Sequence, residues 1–201
     1  MVSRPPNDIT PARFFETWLP AQYQQLAADL ELSPPDISVH VELTGQSGGT
    51  WTLVLAGGTL AVNSGTGPDA DLMFVQSVDD WRTITTGEGL DPRFDLAAES
   101  SSLDKLLVHP ALHQMASSVS NIKGTVDFEI RGAGPETLSA RMIFHGAAEP
   151  HATISVAAET LAEIRDGQTT APEAYFAGKF QVDGDAALAM QLGMLLMAPP
   201  S

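Results

Sequence analysis

The chain has 201 residues, 43% of them hydrophobic, enough to bury a core in one large domain or two small ones. Twenty-five acidic side chains against 10 basic ones leave a formal charge of −15, a field that repels nucleic-acid phosphates and anionic membrane surfaces. The absence of cysteine excludes disulfides, thiolate metal sites and cysteine nucleophiles.

In chain order, Met1 to Pro6 leads into no signal-like apolar run, no stretch reaches the length of a membrane span, and Ala198–Ser201 is not a peroxisomal address. The expectation is a soluble, cytoplasmic protein. Thr10 and Pro11 form an N-cap and first helical turn. The helix runs to about Leu30, with Phe14, Phe15, Trp18, Leu19, Tyr23 and Leu26 on a broad apolar face. Ser33-Pro34-Pro35-Asp36 breaks it. Alternation then predicts strands at 37–44, 50–56, 59–63 and 71–76, with Gly57-Gly58 turning a hairpin. Ser77 caps a helix at 78–86 that Gly87 ends. An irregular connection over 88–101 runs into Ser100-Ser101-Ser102, which marks a boundary between units 1–99 and 100–201. The second unit reads as a helix at 103–118, strands at 124–131, 137–145 and 151–156, and a helix at 158–166 ended by Gly167. A turn at 172–176, a strand at 177–182 and an apolar helix at 185–197 close the chain.

The two units resemble each other. Val39-His40-Val41-Glu42-Leu43-Thr44-Gly45 and Val126-Asp127-Phe128-Glu129-Ile130-Arg131-Gly132 both alternate apolar and polar residues and end in glycine. Thr50-Trp51-Thr52-Leu53 aligns with Thr137-Leu138-Ser139-Ala140. After a seven-residue deletion in the second copy, Trp81 to Gly87 aligns with Leu161 to Gly167, and Pro92 with Pro172. This order reads as a diverged duplication, with two unrelated meanders of similar pattern as the alternative. The first copy lacks the closing strand and helix, the second has a shortened third-strand region, and neither copy is complete, so the two are expected to need each other.

The closing stretch carries a family resemblance. Ile164-Arg165-Asp166-Gly167, then Pro172-Glu173-Ala174-Tyr175-Phe176-Ala177-Gly178-Lys179-Phe180-Gln181-Val182-Asp183-Gly184-Asp185 and the helix to Met197 resemble the sterol carrier protein type 2 family of lipid-binding domains. The first unit is similar through Gly49–Leu53, Gly58–Val62, Asp69–Leu72 and Ser77–Trp81. The resemblance implies an α+β fold, a mixed sheet with helices on one face, here doubled into a pseudo-dimer. It implies an apolar tunnel for sterols, fatty acids or acyl thioesters, with no catalytic residues and no cofactor.

In such a tunnel the walls would be Phe128, Met142, Phe144, Tyr175, Phe176 and Phe180, with Met190, Met194 and Met197 from the last helix. Those methionines fall at i, i+4, i+7, opposite Leu188, Leu192, Leu195 and Leu196, so the helix is apolar nearly all round and must meet two apolar neighbours. Methionine adapts to varied shapes, as a permissive cavity requires. Core or interface packing is the competing account of that face, and ordinary core packing of the aromatics. Trp51 and Trp81 are the first unit's counterparts.

His109 and His113 stand one helical turn apart but have no third ligand at local spacing, so a metal site is not expected. His145 and His151 flank the turn 146–150 with Glu149 nearby, and solvated turn residues are the simpler account. Phosphate-loop, dinucleotide and nucleophile-elbow motifs are absent. The leading expectation is therefore a non-enzymatic carrier of a hydrophobic small molecule, without metal or stable membrane insertion. The alternatives are an accessory subunit with a collapsed cavity, docking a partner or a second copy through the last helix, and an enzyme acting on an apolar substrate through His145 or His151.

Overall fold

The computed structural model describes residues 4–30, 36–67, 69–90, 119–133 and 137–197. The helix expected at 103–118, with His109 and His113, lies outside these residues. The described elements are α1 (Pro11–Arg13), a π-helical turn (Phe14–Trp18), α2 (Leu19–Leu30), β1 (Ile37–Thr44), β2 (Gly49–Ala56), β3 (Thr59–Ser64), β4 (Leu72–Ser77) and α3 (Val78–Thr86). After them come β5 (Gly124–Arg131), β6 (Leu138–Phe144), β7 (His151–Ala157), α4 (Ala158–Arg165), α5 (Ala171–Phe176), β8 (Phe180–Gly184) and α6 (Ala186–Met197).

Local chemistry sets most of these bounds. The Thr10 hydroxyl accepts from Arg13 N, the Ser77 hydroxyl accepts from Asp80 N, and Gly87 ends α3 at φ 75°. Thr170 and Glu173 form a reciprocal capping box at α5. The expected turn at 172–176 is thus a short helix. The strand expected from 177 begins only at Phe180. Residues 177–179 are spent closing α5: Ala177 N donates to Glu173 O, Gly178 N to Tyr175 O and Lys179 N to Ala174 O, with Gly178 at φ 73°. The first helix departs from α geometry at Phe14–Trp18. Pro20 has no N–H to give the carbonyl of Glu16, and its ring crowds that carbonyl. The wider turn absorbs the conflict and brings both Phe14 and Phe15 into the core, each 6% exposed.

All eight strands lie in one mixed sheet, ordered β3-β2-β1-β4-β6-β5-β7-β8. Alternation fixes its faces. Val39, Val41, Leu43, Trp51, Leu72, Val126, Phe144, Ala152 and Ile154 point to one side, and the described helices that pack on the sheet cover that side. One cluster gathers Ile9, Phe14, Phe15, Leu19, Trp51 and Trp81 beneath the first helix, with Phe15 stacked on Trp51 at 4.7 Å. A second gathers Val119, Ile122, Val126, Phe144, Ala152, Ile154, Leu188, Ala189 and Leu192 beneath α6. Val39 packs against both, so the core is continuous.

The two halves share one wiring. β1 is antiparallel to β2 and parallel to β4, and α3 follows β4. β5 is antiparallel to β6 and parallel to β7, and α4 follows β7. The parallel register also agrees: Val39 pairs with Leu72 and Val126 with Ala152. The halves lie side by side in the same order rather than face to face, joined where β4 runs antiparallel to β6. On the outside of β7 lies antiparallel β8, and β6 takes that place against β4. On the outside of β2 lies antiparallel β3, and β4 takes that place against β6. Among the described residues, each half thus supplies an edge partner to the other.

Candidate functional site

The apolar seat in the second half is built by β5, β6, β7 and β8 with α6 laid across them. Two glycines let the helix approach. Gly184 turns the chain at φ 87° between β8 and α6, where a Cβ would lie 2.5 Å from His151 O. Gly124 opens β5 at φ 130°, with Pro150 O and Leu188 Cδ2 where a Cβ would stand. Asp185 N donates to His151 O, and Asp185 Oδ1 accepts from Leu188 N at 2.8 Å, capping α6. Leu188 and Leu192, each 2% exposed, then enter the seat.

The expected wall residues divide. Phe144 is fully buried there, and Phe128, Met142 and Phe180 pack partly buried around it. Tyr175 and Phe176 pair edge to face at 5.8 Å at the end of α5, and Phe176 is 85% exposed, so it stands in solvent rather than in a wall. The C-cap that delays β8 leaves both rings behind on the helix end. Met190 is 53% exposed on the outer side of α6, also away from the seat. The side chains of Met194 and Met197 lie outside the described residues. Sequence reasoning missed Val119, Ile122 and Ala152, whose burial follows only from strand pairing and from α6 lying above them.

The opposite sheet face is polar over the second half and carries a groove of about 400 Å³, lined by Val75, Gln76, Asp127, Glu129, Ser139, Arg141 and Thr153 among others. Asp127 is tied on both oxygens: Arg141 donates through Nε at 2.7 Å and Nη2 at 3.1 Å, and His151 Nε2 lies 2.8 Å from Oδ2. The Arg141 hydrogen bond holds this carboxyl below the ordinary value; burial opposes the shift, and His151 adds to it. Ser155 Oγ donates to Glu129. His145 takes another course, with φ 50° and Nε2 2.9 Å from Val119 O, so the two histidines engage different partners. His40 points to this polar face and meets Thr52 Oγ1 at 3.2 Å. Each of these groups is engaged in a hydrogen bond. Among the described residues, no group of three or more His, Asp or Glu could hold a metal ion. No described helix is long and apolar enough to cross a membrane.

The described fold is thus a mixed α+β sheet with its described helices on one face and a capped apolar helix closing the second half. Residues 103–197 match the SCP-2 sterol transfer family, and this segment carries the family's sequence pattern. Sterol carrier protein 2 like 2 from Aedes aegypti is 25% identical over 36% of this chain and 72% of its own, with a TM-score of 0.28. Sterol carrier protein 2 from Yarrowia lipolytica is 16% identical over 52% of this chain and 97% of its own, with a TM-score of 0.32. A stereoselective inverting sec-alkylsulfatase from Pseudomonas sp. is 14% identical over 96% of this chain and 17% of its own, with a TM-score of 0.22. No curated protein matches the chain.

Proposed function

We propose that this chain is a non-enzymatic, cytoplasmic carrier of a hydrophobic small molecule, a lipid, fatty acyl or sterol-like compound. Its apolar tunnel would lie in the second half, between α6 and the β5–β8 sheet. The observation that carries the reading is the SCP-2 sterol transfer match over 103–197, a segment whose described residues from Val119 to Leu192 supply most of the apolar cluster under α6. Phe128, Met142, Phe144 and Phe180 are its proposed walls, with Met194 and Met197 at the far end of the helix. We take 1–99 and 100–201 as diverged copies, the first filled by its own aromatics: Phe14, Phe15, Trp51 and Trp81 leave its apolar face packed. Apolar burial with few polar contacts gives broad selectivity.

Native mass spectrometry of protein purified under mild conditions tests this. The expected result is a bound mass in the lipid range that denaturing spectra lack, together with saturable displacement of a fluorescent fatty acid. Phe128→Ala should weaken that displacement while the chain stays folded. A bare mass together with no fluorescent uptake would sink the reading. A second reading, docking of a partner or second copy on α6, draws support from Met190, which leaves a large apolar side chain 53% exposed. It predicts that Met190→Lys breaks a complex and leaves lipid uptake unchanged.

A further inference from the structure

We propose that the N-terminal helix carries a separate ligand site, a notch for a small zwitterion with an apolar body, the chemistry of an aromatic or branched α-amino acid. The notch encloses about 220 Å³ between the segment before α1 and the outer side of the helix. Pro6, Ile9 and Trp18 give it apolar walls, and Asp8 and Arg13 stand at its rim. It rests on the first half alone and is independent of the carrier reading.

Both walls are fixed before any ligand arrives. Arg82 Nη1 donates to Asn7 O at 3.0 Å and to Ile9 O at 3.3 Å, pinning the leading segment across α3. Trp18 is stacked on Phe14 at 5.1 Å with 20° between the rings. The π turn that Pro20 imposes ends on Trp18, so the indole beside the notch is placed by non-α geometry, a recurrent feature of functional sites. Preformed apolar hollows with a few polar groups are the usual form of small-molecule sites.

The rim charges identify the ligand. Neither Asp8 nor Arg13 makes an ion pair or side-chain hydrogen bond among the described residues. An apolar anion would suit Arg13 and meet repulsion from Asp8, and an apolar cation the reverse. A molecule bearing both a carboxylate and an ammonium satisfies the two together and carries no net charge into a chain of −15. The volume lies below the roughly 300–1,000 Å³ of drug-sized pockets, which suits one amino-acid side chain and not an acyl chain.

The test is an NMR titration of the full ¹⁵N-labelled chain, read at the Trp18 indole N–H. L-phenylalanine and L-leucine should shift it saturably. Arg13→Gln and Asp8→Asn, both on exposed side chains, should each weaken binding about threefold, the scale of an exposed charge pair. 3-Phenylpropionate and phenethylamine, each with one charge, should bind correspondingly less well. No saturable shift, or an affinity in both variants equal to that of the unsubstituted chain, would overturn the site. Equal affinity for 3-phenylpropionate would overturn the zwitterion assignment. Fluorescent fatty-acid displacement should not respond to L-phenylalanine, which keeps this result apart from the carrier test.

Discussion

Asp127 shows how a residue's neighbours outweigh its place in the chain. In sequence it is one polar residue in an alternating strand, and its outward face was legible. Its partners were not, because Arg141 is set by the β5–β6 register and His151 lies at the start of β7, two pairings no local pattern fixes. The arrangement has a pH consequence. A carboxyl held below its unfolded value stabilises the fold above that value, about 3.9, and loses the contribution as pH falls through its folded value. In Arg141→Gln the largest cause is gone, so the Asp127 carboxyl titration, followed by ¹³C NMR, should move up toward about 3.9. An unchanged titration would show that Arg141 does not set it. Tyr23 is a plainer case: its place on the apolar face was readable, whereas its hydroxyl is buried with no hydrogen-bond partner among the described residues.

Elements were most legible where a cap announces them. Ser77, Gly87 and Gly167 mark helix ends close to their expected positions, because each acts locally, Ser77 through its hydroxyl and the two glycines through a left-handed φ. The late start of β8 was hidden because Gly178 serves the helix behind it rather than the strand ahead. The π turn was also hidden: Pro20 stands mid-helix, where the sequence announces a lost hydrogen bond but not the form in which the backbone absorbs it. Glycines separate further by what stands beside them. Gly57 has φ 54° and open space, so Gly57→Ala should cost about 1–2 kcal/mol for the left-handed backbone alone. At Gly124 a Cβ would stand 2.3 Å from Pro150 O, so Gly124→Ala should cost about 1–3 kcal/mol more. Urea midpoints of the two variants measure the difference, and equal midpoints would contradict the close approach of the 150 turn to β5.

At the scale of the molecule, the order of the described strands and helices in each half could be read from the sequence. How the halves complete each other could not, since it depends on which edge of a sheet meets which. Separated at 99/100, neither fragment should unfold cooperatively alone, because β4 and β6 would each lose their antiparallel neighbour and the shared core around Val39 would open. Mixed together they should regain a single urea transition. A sharp transition from either fragment alone would show that the halves are self-sufficient domains. The same geometry bears on solubility. Short β3 and β8 occupy the outer positions at the two ends of the sheet, where edge strands of five or six residues offer little to a stranger. A chain stripped of both would bare on β2 and β7 the kinds of edge that join at β4–β6. Head-to-tail joining of identical copies by such edges ends in a ring where the rotation between copies closes, and in a growing filament where it does not.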